Sequence, residues 1–157
     1  MNCPEMDSST ADDSWMGLAL GEAERARSEG EVPVGAVAVL DGRIVASDHN
    51  RSIQRCDPTA HAEILVLRSA GRALSNYRLG GLELYVTLEP CAMCTGALVW
   101  GRVARLIYGA TDAKAGAVDS RARLLEPGLF NHPVAVTGGV RAGECRRILQ
   151  EFFAARR

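Results

Sequence analysis

Two cysteines and one histidine carry the strongest chemical signal in this sequence. Cys91 and Cys94 stand three positions apart just after Pro90, in LEPCAMC, and His61 stands upstream in TAHAEI. Residues i and i+3 share one face of a helix, and a helix start favours the thiolate form of cysteine. Two thiolates and one imidazole suit Zn²⁺ and leave its fourth position open, as in catalytic zinc sites. The spacing therefore predicts a zinc ion that activates water.

A carboxylate stands close to the predicted histidine ligand. Glu63 follows His61 by two positions, and hydrolysis at a metal needs a group that carries protons. In a helix interior, side chains at i and i+2 diverge by about 200°, so both reach one site only where the pocket meets the end of the helix. On that condition we expect Glu63 to move protons without binding the metal.

Two other interpretations of the cysteine pair have to be weighed. Cys-x-x-Cys at a helix start is also the layout of thioredoxin-like redox proteins, and a closed structural zinc site would need a fourth ligand. The remaining histidines and thiols are His49, His132, Cys3, Cys56 and Cys145. The ordered combination of His-x-Glu with a later Pro-Cys-x-x-Cys is the known signature of zinc-dependent nucleobase deaminases, which favours the catalytic site.

The elements that must position these residues alternate between strands and helices. Hydrophobic periodicity predicts helices over residues 15–28, 57–74, from Pro90 onward and over 145–153, and strands over 34–40, 43–47, 82–88, 103–109 and 134–137. Asp57 is expected to cap the second helix, and Asp41-Gly42 predicts a hairpin that makes the sheet mixed. We therefore expect an α/β fold of three layers, α/β/α, around a central mixed sheet of five strands.

Length and composition fit one globular domain. The 157 residues are 47% hydrophobic and 24% charged, which is ordinary for such a domain. Residues 1–13 are acidic with little to bury, so we expect a disordered tail there and a single domain over 14–157. No apolar run could cross a bilayer, and the N-terminus lacks the layout of a secretion signal. With an odd number of cysteines, five, these features predict a cytoplasmic protein with no membrane partner.

The charge is unevenly distributed along the chain. The net charge is −1, yet the last 17 residues hold five arginines and two glutamates. A basic C-terminal helix is compatible with a phosphate-rich partner. On charge alone, an ordinary solvated helix face is the more common explanation.

From these residues outward, the chain resembles the bacterial tRNA-specific adenosine deaminases of the cytidine-deaminase-like superfamily. The resemblance extends over about residues 15–157 and includes DPTAHAEI, NYRL, YVTLEPCAMC and YGATDAKAGA. It implies the cytidine-deaminase-like fold and hydrolytic deamination of adenosine to inosine at the wobble position of tRNA anticodons. It also implies a homodimer that binds the tRNA anticodon stem-loop, with one Zn²⁺ per subunit.

The resemblance further implies a role for each residue that matches a family motif. It implies that His61, Cys91 and Cys94 bind zinc and that Glu63 is the catalytic proton shuttle. It implies substrate contacts from Asn50 to the target base, from Asp112 and Lys114 on one loop, from Asn131 and His132 on a later loop, and from Phe152, Arg156 and Arg157 at the C-terminus.

Several positions depart from the family pattern, and two other functions stay open. Trp100, Val118-Asp119 and Pro133 replace the residues usual in the family; they leave the zinc chemistry unchanged and bear on RNA contacts. A deaminase of free nucleobases or nucleosides, such as guanine or cytosine, would use the same metal site without the basic C-terminus. A non-enzymatic RNA-binding or zinc-stabilised scaffold would have no need of Glu63.

Overall fold

A mixed five-stranded sheet lies between two layers of helices in the structure, a computed structural model that describes residues 7–157. The elements are α1 (Ser8–Ser28), β1 (Gly35–Leu40), β2 (Arg43–His49), α2 (Ser52–Arg55), α3 (Ala62–Leu74), β3 (Glu83–Leu88), α4 (Ala92–Trp100), β4 (Arg105–Ala110), β5 (Ala135–Thr137) and α5 (Ala142–Ala154). The strand order is β2-β1-β3-β4-β5. Pairs within β2-β1-β3 are antiparallel and pairs within β3-β4-β5 are parallel. This confirms the predicted three-layer α/β architecture.

Strand β1 is apolar throughout because helices cover both faces of the sheet. Ala36 and Ala38 face the core shared with α3 and α4, while Val37 and Val39 face the core shared with α1 and α5. Gly35 opens the strand where α1 crosses closest, and a Cβ there would lie 2.0 Å from the Ala19 carbonyl oxygen. The unbroken apolar run is thus the pattern of a strand buried on two sides.

The first helix begins earlier than the sequence predicted. Helix α1 starts at Ser8, so the predicted disordered tail over residues 1–13 is wrong for residues 8–13, while residues 1–6 lie outside the described part of the chain. Asp12 is 5% exposed. Its two oxygens accept hydrogen bonds from Arg105 at 2.9 and 2.5 Å, and Oδ1 also accepts the Tyr85 hydroxyl at 2.9 Å. These strand partners hold the Asp12 carboxylate in a buried position and attach the start of α1 to the sheet.

The Asp12 ion pair leads to a stability prediction. Asp12→Asn removes the charge that Arg105 binds, and hydrogen bonds to charged groups contribute about 1.5 to 3 kcal/mol each. We expect the free energy of unfolding, measured by urea titration, to fall by about 1.5 to 3 kcal/mol. Asp13→Asn is the matched control, because the neighbouring Asp13 is exposed. Equal unfolding midpoints for the two variants would contradict the importance of this pair.

The last helix packs through the predicted apolar stripe. Helix α5 buries Cys145, Ile148 and Phe152. Gly109 in β4 permits this contact, because a Cβ there would lie 2.3 Å from the Cys145 Sγ atom. Within residues 7–157, no helix combines the length and the apolar content that crossing a membrane requires.

Candidate active site

The donor atoms of His61, Cys91 and Cys94 gather at one point of the structure. His61 Nδ1 lies 3.6 Å from Cys91 Sγ and 3.5 Å from Cys94 Sγ. All three donor atoms lie within 4.8 Å of one another. Cys94 is fully buried, whereas His61 and Cys91 are half-buried. The structure therefore brings together the three residues that the sequence predicted as ligands, at a place that solvent can still reach.

Two helices begin at this point. His61 is the N-cap of α3, with φ −75° and ψ 152°, and Cys91 is the N-cap of α4, with φ −74° and ψ 175°. The first N–H groups of each helix have no partner within the helix, and the helix dipole places positive charge there. Both features favour a thiolate at Cys91, the N-cap residue of α4.

Helix α3 begins five residues later than predicted. The sequence placed Asp57 as its cap, but the helix starts at Ala62. Asp57 Oδ1 instead accepts hydrogen bonds from the backbone N–H and the hydroxyl of Thr59, at 2.8 and 2.7 Å. Such side-chain turns compete with helix formation. The N–H of Ala62 donates to Asn50 Oδ1 at 2.9 Å, so a side chain from the preceding loop caps the helix.

The shifted helix start removes the geometric obstacle between His61 and Glu63. His61 lies outside the helix in extended backbone, and Glu63 lies in the first turn. The angle of about 200° that separates i and i+2 inside a helix therefore does not apply to this pair. Glu63 is 4% exposed, and burial raises its pKa to about 7. A carboxyl group with a pKa near neutrality can both accept and donate a proton, as the predicted shuttle must.

The two thiols influence each other's ionisation. A hydrogen bond from the Cys94 thiol lowers the pKa of Cys91 to about 4, opposed by burial and assisted by His61. The same hydrogen bond raises the pKa of Cys94, together with burial and the Glu63 carboxylate. The hydrogen bond with Cys91 also raises the pKa of His61. The surrounding residues alone thus favour one thiolate beside the imidazole of His61.

Asn50, the residue predicted to bind the base, follows a buried histidine for which the sequence predicted no role. His49 is 2% exposed. Its Nδ1 lies 2.9 Å from Glu22 Oε2 and its Nε2 lies 2.8 Å from Glu29 Oε2. These contacts tie the end of β2 to α1. The side-chain Oδ1 of Asn50 already accepts the N–H of Ala62 in α3. The Nδ2 group of the same amide is left to donate to a base.

The first predicted substrate loop is ordered by its own aspartate. Asp112 Oδ1 accepts hydrogen bonds from the N–H groups of Lys114 and Ala115, at 3.0 and 3.2 Å. The Lys114 side chain is exposed. The residue that anchors this loop, Glu89, was not among the predicted site residues; its carboxylate accepts a hydrogen bond from the Asp112 N–H at 2.9 Å. Its position two residues before Cys91 was the signal that could have identified it.

The second predicted substrate loop presents only one of its two residues freely. Asn131 is exposed. His132 is half-buried, and its Nε2 lies 2.9 Å from the Val103 carbonyl oxygen. Because a carbonyl only accepts, this ring nitrogen must donate. His132 therefore fastens the loop to the turn that precedes β4, and contact with RNA stays a prediction for both residues.

The C-terminal residues divide between the core and the surface. Phe152 is 7% exposed and Phe153 is 48% exposed, so Phe153 is the ring that solvent reaches and the predicted Phe152 ring is a core side chain. The Arg156 guanidinium stacks on Phe152 at 4.0 Å and donates to the Gly30 carbonyl at 2.9 Å. Arg157 is exposed. Packing of the apolar stripe explains why Phe152 turns inward.

Comparison with protein families and curated proteins agrees with the geometry. Residues 10–157 match the family described as MafB19-like deaminase. A tRNA-specific adenosine deaminase of Haemophilus influenzae is 48% identical over 147 residues, which cover 93% of this chain and 85% of that protein. Similarity therefore extends across nearly the whole chain and is not confined to the cysteine motif.

Solved structures place the chain within the same group. A structure from studies of A-to-I editing by tRNA:A34 deaminases at the wobble position of transfer RNA has a TM-score of 0.84 and 48% identity, over 87% of this chain and 99% of that one. A guanine deaminase of Bacillus subtilis has a TM-score of 0.61 and 38% identity, over 63% of this chain and 64% of that one. With its predicted ligands gathered and its similarity spread over most of its length, this chain belongs to the tRNA-specific adenosine deaminase family of deaminases.

Proposed function

We propose that this protein deaminates adenosine to inosine at the wobble position of a tRNA anticodon, with one zinc ion per subunit. The observation that carries the proposal is the convergence of His61, Cys91 and Cys94 at the helix end that also bears the buried Glu63. The 48% identity to a tRNA-specific adenosine deaminase supports the choice of substrate. A tRNA substrate also fits the cytoplasmic location that the sequence predicts.

The donor set fits zinc in both chemistry and spacing. In a tetrahedral site with Zn–S of about 2.3 Å and Zn–N of about 2.0 to 2.1 Å, the nitrogen and each sulfur lie about 3.6 Å apart. The corresponding separations here are 3.6 and 3.5 Å. Within residues 7–157, the group of mutually close donors holds three side chains and no fourth. His61, Cys91 and Cys94 would therefore hold the ion and leave one coordination position for water.

Glu63 supports a simple path for the protons. When bound, zinc supplies Lewis-acid chemistry that lowers the pKa of a water molecule from about 15.7 to about 7. Glu63 accepts the proton of the water that adds to C6 of adenine and delivers it to the ring nitrogen N1. Glu63 then takes up the remaining proton of that water, from the hydroxyl group now on C6, and gives it to the amino group. Ammonia leaves and a carbonyl oxygen replaces nitrogen at C6. Its raised pKa, about 7, suits a group that holds a proton between two transfers.

Deamination of free guanine is the competing function, since a guanine deaminase shares much of this fold. An RNA substrate, unlike a free base, would contact exposed arginines of the C-terminus such as Arg146 and Arg157. Phosphate contacts supply much of the affinity of proteins for nucleic acids. The basic C-terminal helix therefore favours RNA over a free base.

The function is tested with a short anticodon stem-loop that bears a wobble adenosine. Mass spectrometry should detect inosine in the RNA, whereas free adenosine, guanine and cytosine should remain largely unchanged. Arg146→Ala with Arg157→Ala should weaken activity on the stem-loop, because phosphate contacts are lost. Conversion of guanine, with no inosine in the RNA, would contradict the proposed function and support the competing one.

We also propose that the protein forms a homodimer through the groove between α3 and α4. This groove has a volume of about 670 Å³, and its lining includes Ile64, Leu67 and Ala97. Two large aromatic rings stand at its edge, Trp100 at 83% and Tyr77 at 75% exposure. Large apolar patches on a surface commonly mark protein interfaces, and the predicted partner of this chain is a second copy.

Trp100→Glu tests the proposed dimer face. A charge in an apolar interface opposes burial, so sedimentation should show two chains per particle for the parent protein and one for the variant. Leu18→Glu is the matched control, because Leu18 is an exposed apolar residue, 48% exposed, on α1 in the opposite helical layer. A parent protein that sediments as a single chain, or a Trp100→Glu variant that remains dimeric, would contradict this interface.

A further inference from the structure

The buried carboxylate of Glu89 receives all of its hydrogen bonds from one loop. Glu89 is 2% exposed. Its Oε1 accepts the backbone N–H groups of Val118, Asp119 and Ser120 at 3.1, 2.8 and 2.9 Å. Its Oε2 accepts the N–H of Asp112 at 2.9 Å and the Ser120 hydroxyl at 2.5 Å. Burial of an ionised group is costly without such partners. The five donors therefore stabilise the buried carboxylate, and the carboxylate in turn holds the loop in place.

The loop is shaped to receive this carboxylate. A Cβ at Gly116 would lie 2.4 Å from the Glu89 carboxylate, so only glycine allows the close approach. The N–H of Ala117 donates to the Pro90 carbonyl at 2.8 Å. The Tyr108 hydroxyl of β4 donates to Asp119 Oδ2 at 2.5 Å. Residues 112–120, here called the Asp112 loop, are thus fastened to the end of β3 and to β4.

Glu89 connects two parts of the predicted site, one through its backbone and the other through its side chain. It lies between the last residue of β3 and the Pro90-Cys91 segment, which carries a predicted zinc ligand. The Asp112 loop in turn carries Asp112 and Lys114, the predicted substrate contacts. One side chain therefore joins the segment that would hold the ion to the loop that would meet the RNA.

We propose that Glu89 is a positioning residue that sets the placement of the Asp112 loop against the nucleotides flanking the target adenosine. This inference rests on the proposed function for its substrate, whereas its structural part, the anchoring of the loop, stands apart from any substrate. Because the loop would touch flanking nucleotides and not the reacting atoms, loosening it removes binding that ground state and transition state share. Such a loss raises KM with little change in kcat.

Glu89→Gln is the first test, since the amide keeps the shape but replaces one accepting oxygen with a donor. We expect hydrogen exchange of the backbone amides in the Asp112 loop to quicken by about tenfold or more, as expected when a bond to a charged group is lost. For the stem-loop RNA, KM should rise by a similar factor of about ten while kcat stays nearly constant. Glu126→Gln, at an exposed glutamate just beyond the loop, should leave both quantities unchanged.

Ser120 offers a second test that does not touch the metal-binding segment. Ser120→Ala removes the hydroxyl that donates to Glu89. It should raise the rate of amide exchange in the Asp112 loop and the KM, both by a smaller factor than Glu89→Gln does. Ser120→Thr keeps the hydroxyl and should restore both. The proposal would be overturned if the amides of the Asp112 loop exchanged at an unchanged rate in Glu89→Gln, whether or not zinc and kcat were also reduced. Quickened exchange in Glu89→Gln, together with a parent protein that reacts with no RNA, would instead uphold the anchor and refute the proposed function.

Discussion

Glu63→Gln is expected to lower kcat for the stem-loop RNA by about 10²- to 10⁴-fold, the usual contribution of a positioned acid–base group. Glutamine has the same shape as glutamate but cannot take up and release the proton. Because Glu63 is buried and burial already raises its pKa to about 7, a neutral amide is expected to fit the site without disturbing the fold. The loss should therefore appear in turnover alone.

Single-turnover kinetics with zinc analysis on the same samples measures this effect. Zinc content and unfolding midpoint should match those of the parent protein. Glu24→Gln on the exposed face of α1 controls for loss of a glutamate elsewhere in the chain. An unchanged kcat in Glu63→Gln would mean that another group moves the protons, and the scaffold interpretation would gain support if activity were absent from the parent protein as well.

Cys91→Ser should cost the protein both its metal and its activity. Cys91 is half-buried at the start of α4, so serine fits the space while the thiolate that zinc requires is gone. We expect zinc content to fall from one ion per chain to near zero and inosine formation to fall to background. Chelation of the parent protein should have the same effect, and added zinc should reverse it.

The exposed Cys56 provides the matched control for this substitution. Cys56→Ser removes one thiol with no change at the predicted site, so zinc content and activity should equal those of the parent protein. If Cys91→Ser kept a full complement of zinc, the ion would be bound elsewhere. If it lost zinc yet stayed active, the chemistry would not depend on the metal.

The local part of the site could be predicted because its residues lie close together in the sequence. Cys91 and Cys94 sit in one helical turn, and His-x-Glu followed by Pro-Cys-x-x-Cys has few other uses. The alternation of Ala36, Val37 and Ala38 between two faces likewise follows from the period of a strand. These features depend on neighbours in the sequence, so their outcome in the structure matches the prediction.

The features that were missed depend on partners far apart in the chain. Local sequence predicts a disordered tail around Asp12 because Arg105 and Tyr85, which bind it, lie in distant strands. Asp57 was predicted as the helix cap because the local sequence does not indicate that Asn50 caps the helix instead. Glu89 carried no signal beyond its place before Pro90, since its donors lie more than 20 positions downstream.

X-ray absorption at the zinc edge tests the central claim most directly, because it reports the atoms bound to the ion. The parent protein should show two sulfur atoms at about 2.3 Å, one imidazole nitrogen at about 2.0 to 2.1 Å and one light atom from water. Cys91→Ser and Cys94→Ser should each remove a sulfur neighbour or the ion itself. A spectrum with four protein ligands, or with sulfur neighbours that persist in both variants, would contradict an open catalytic site at His61, Cys91 and Cys94.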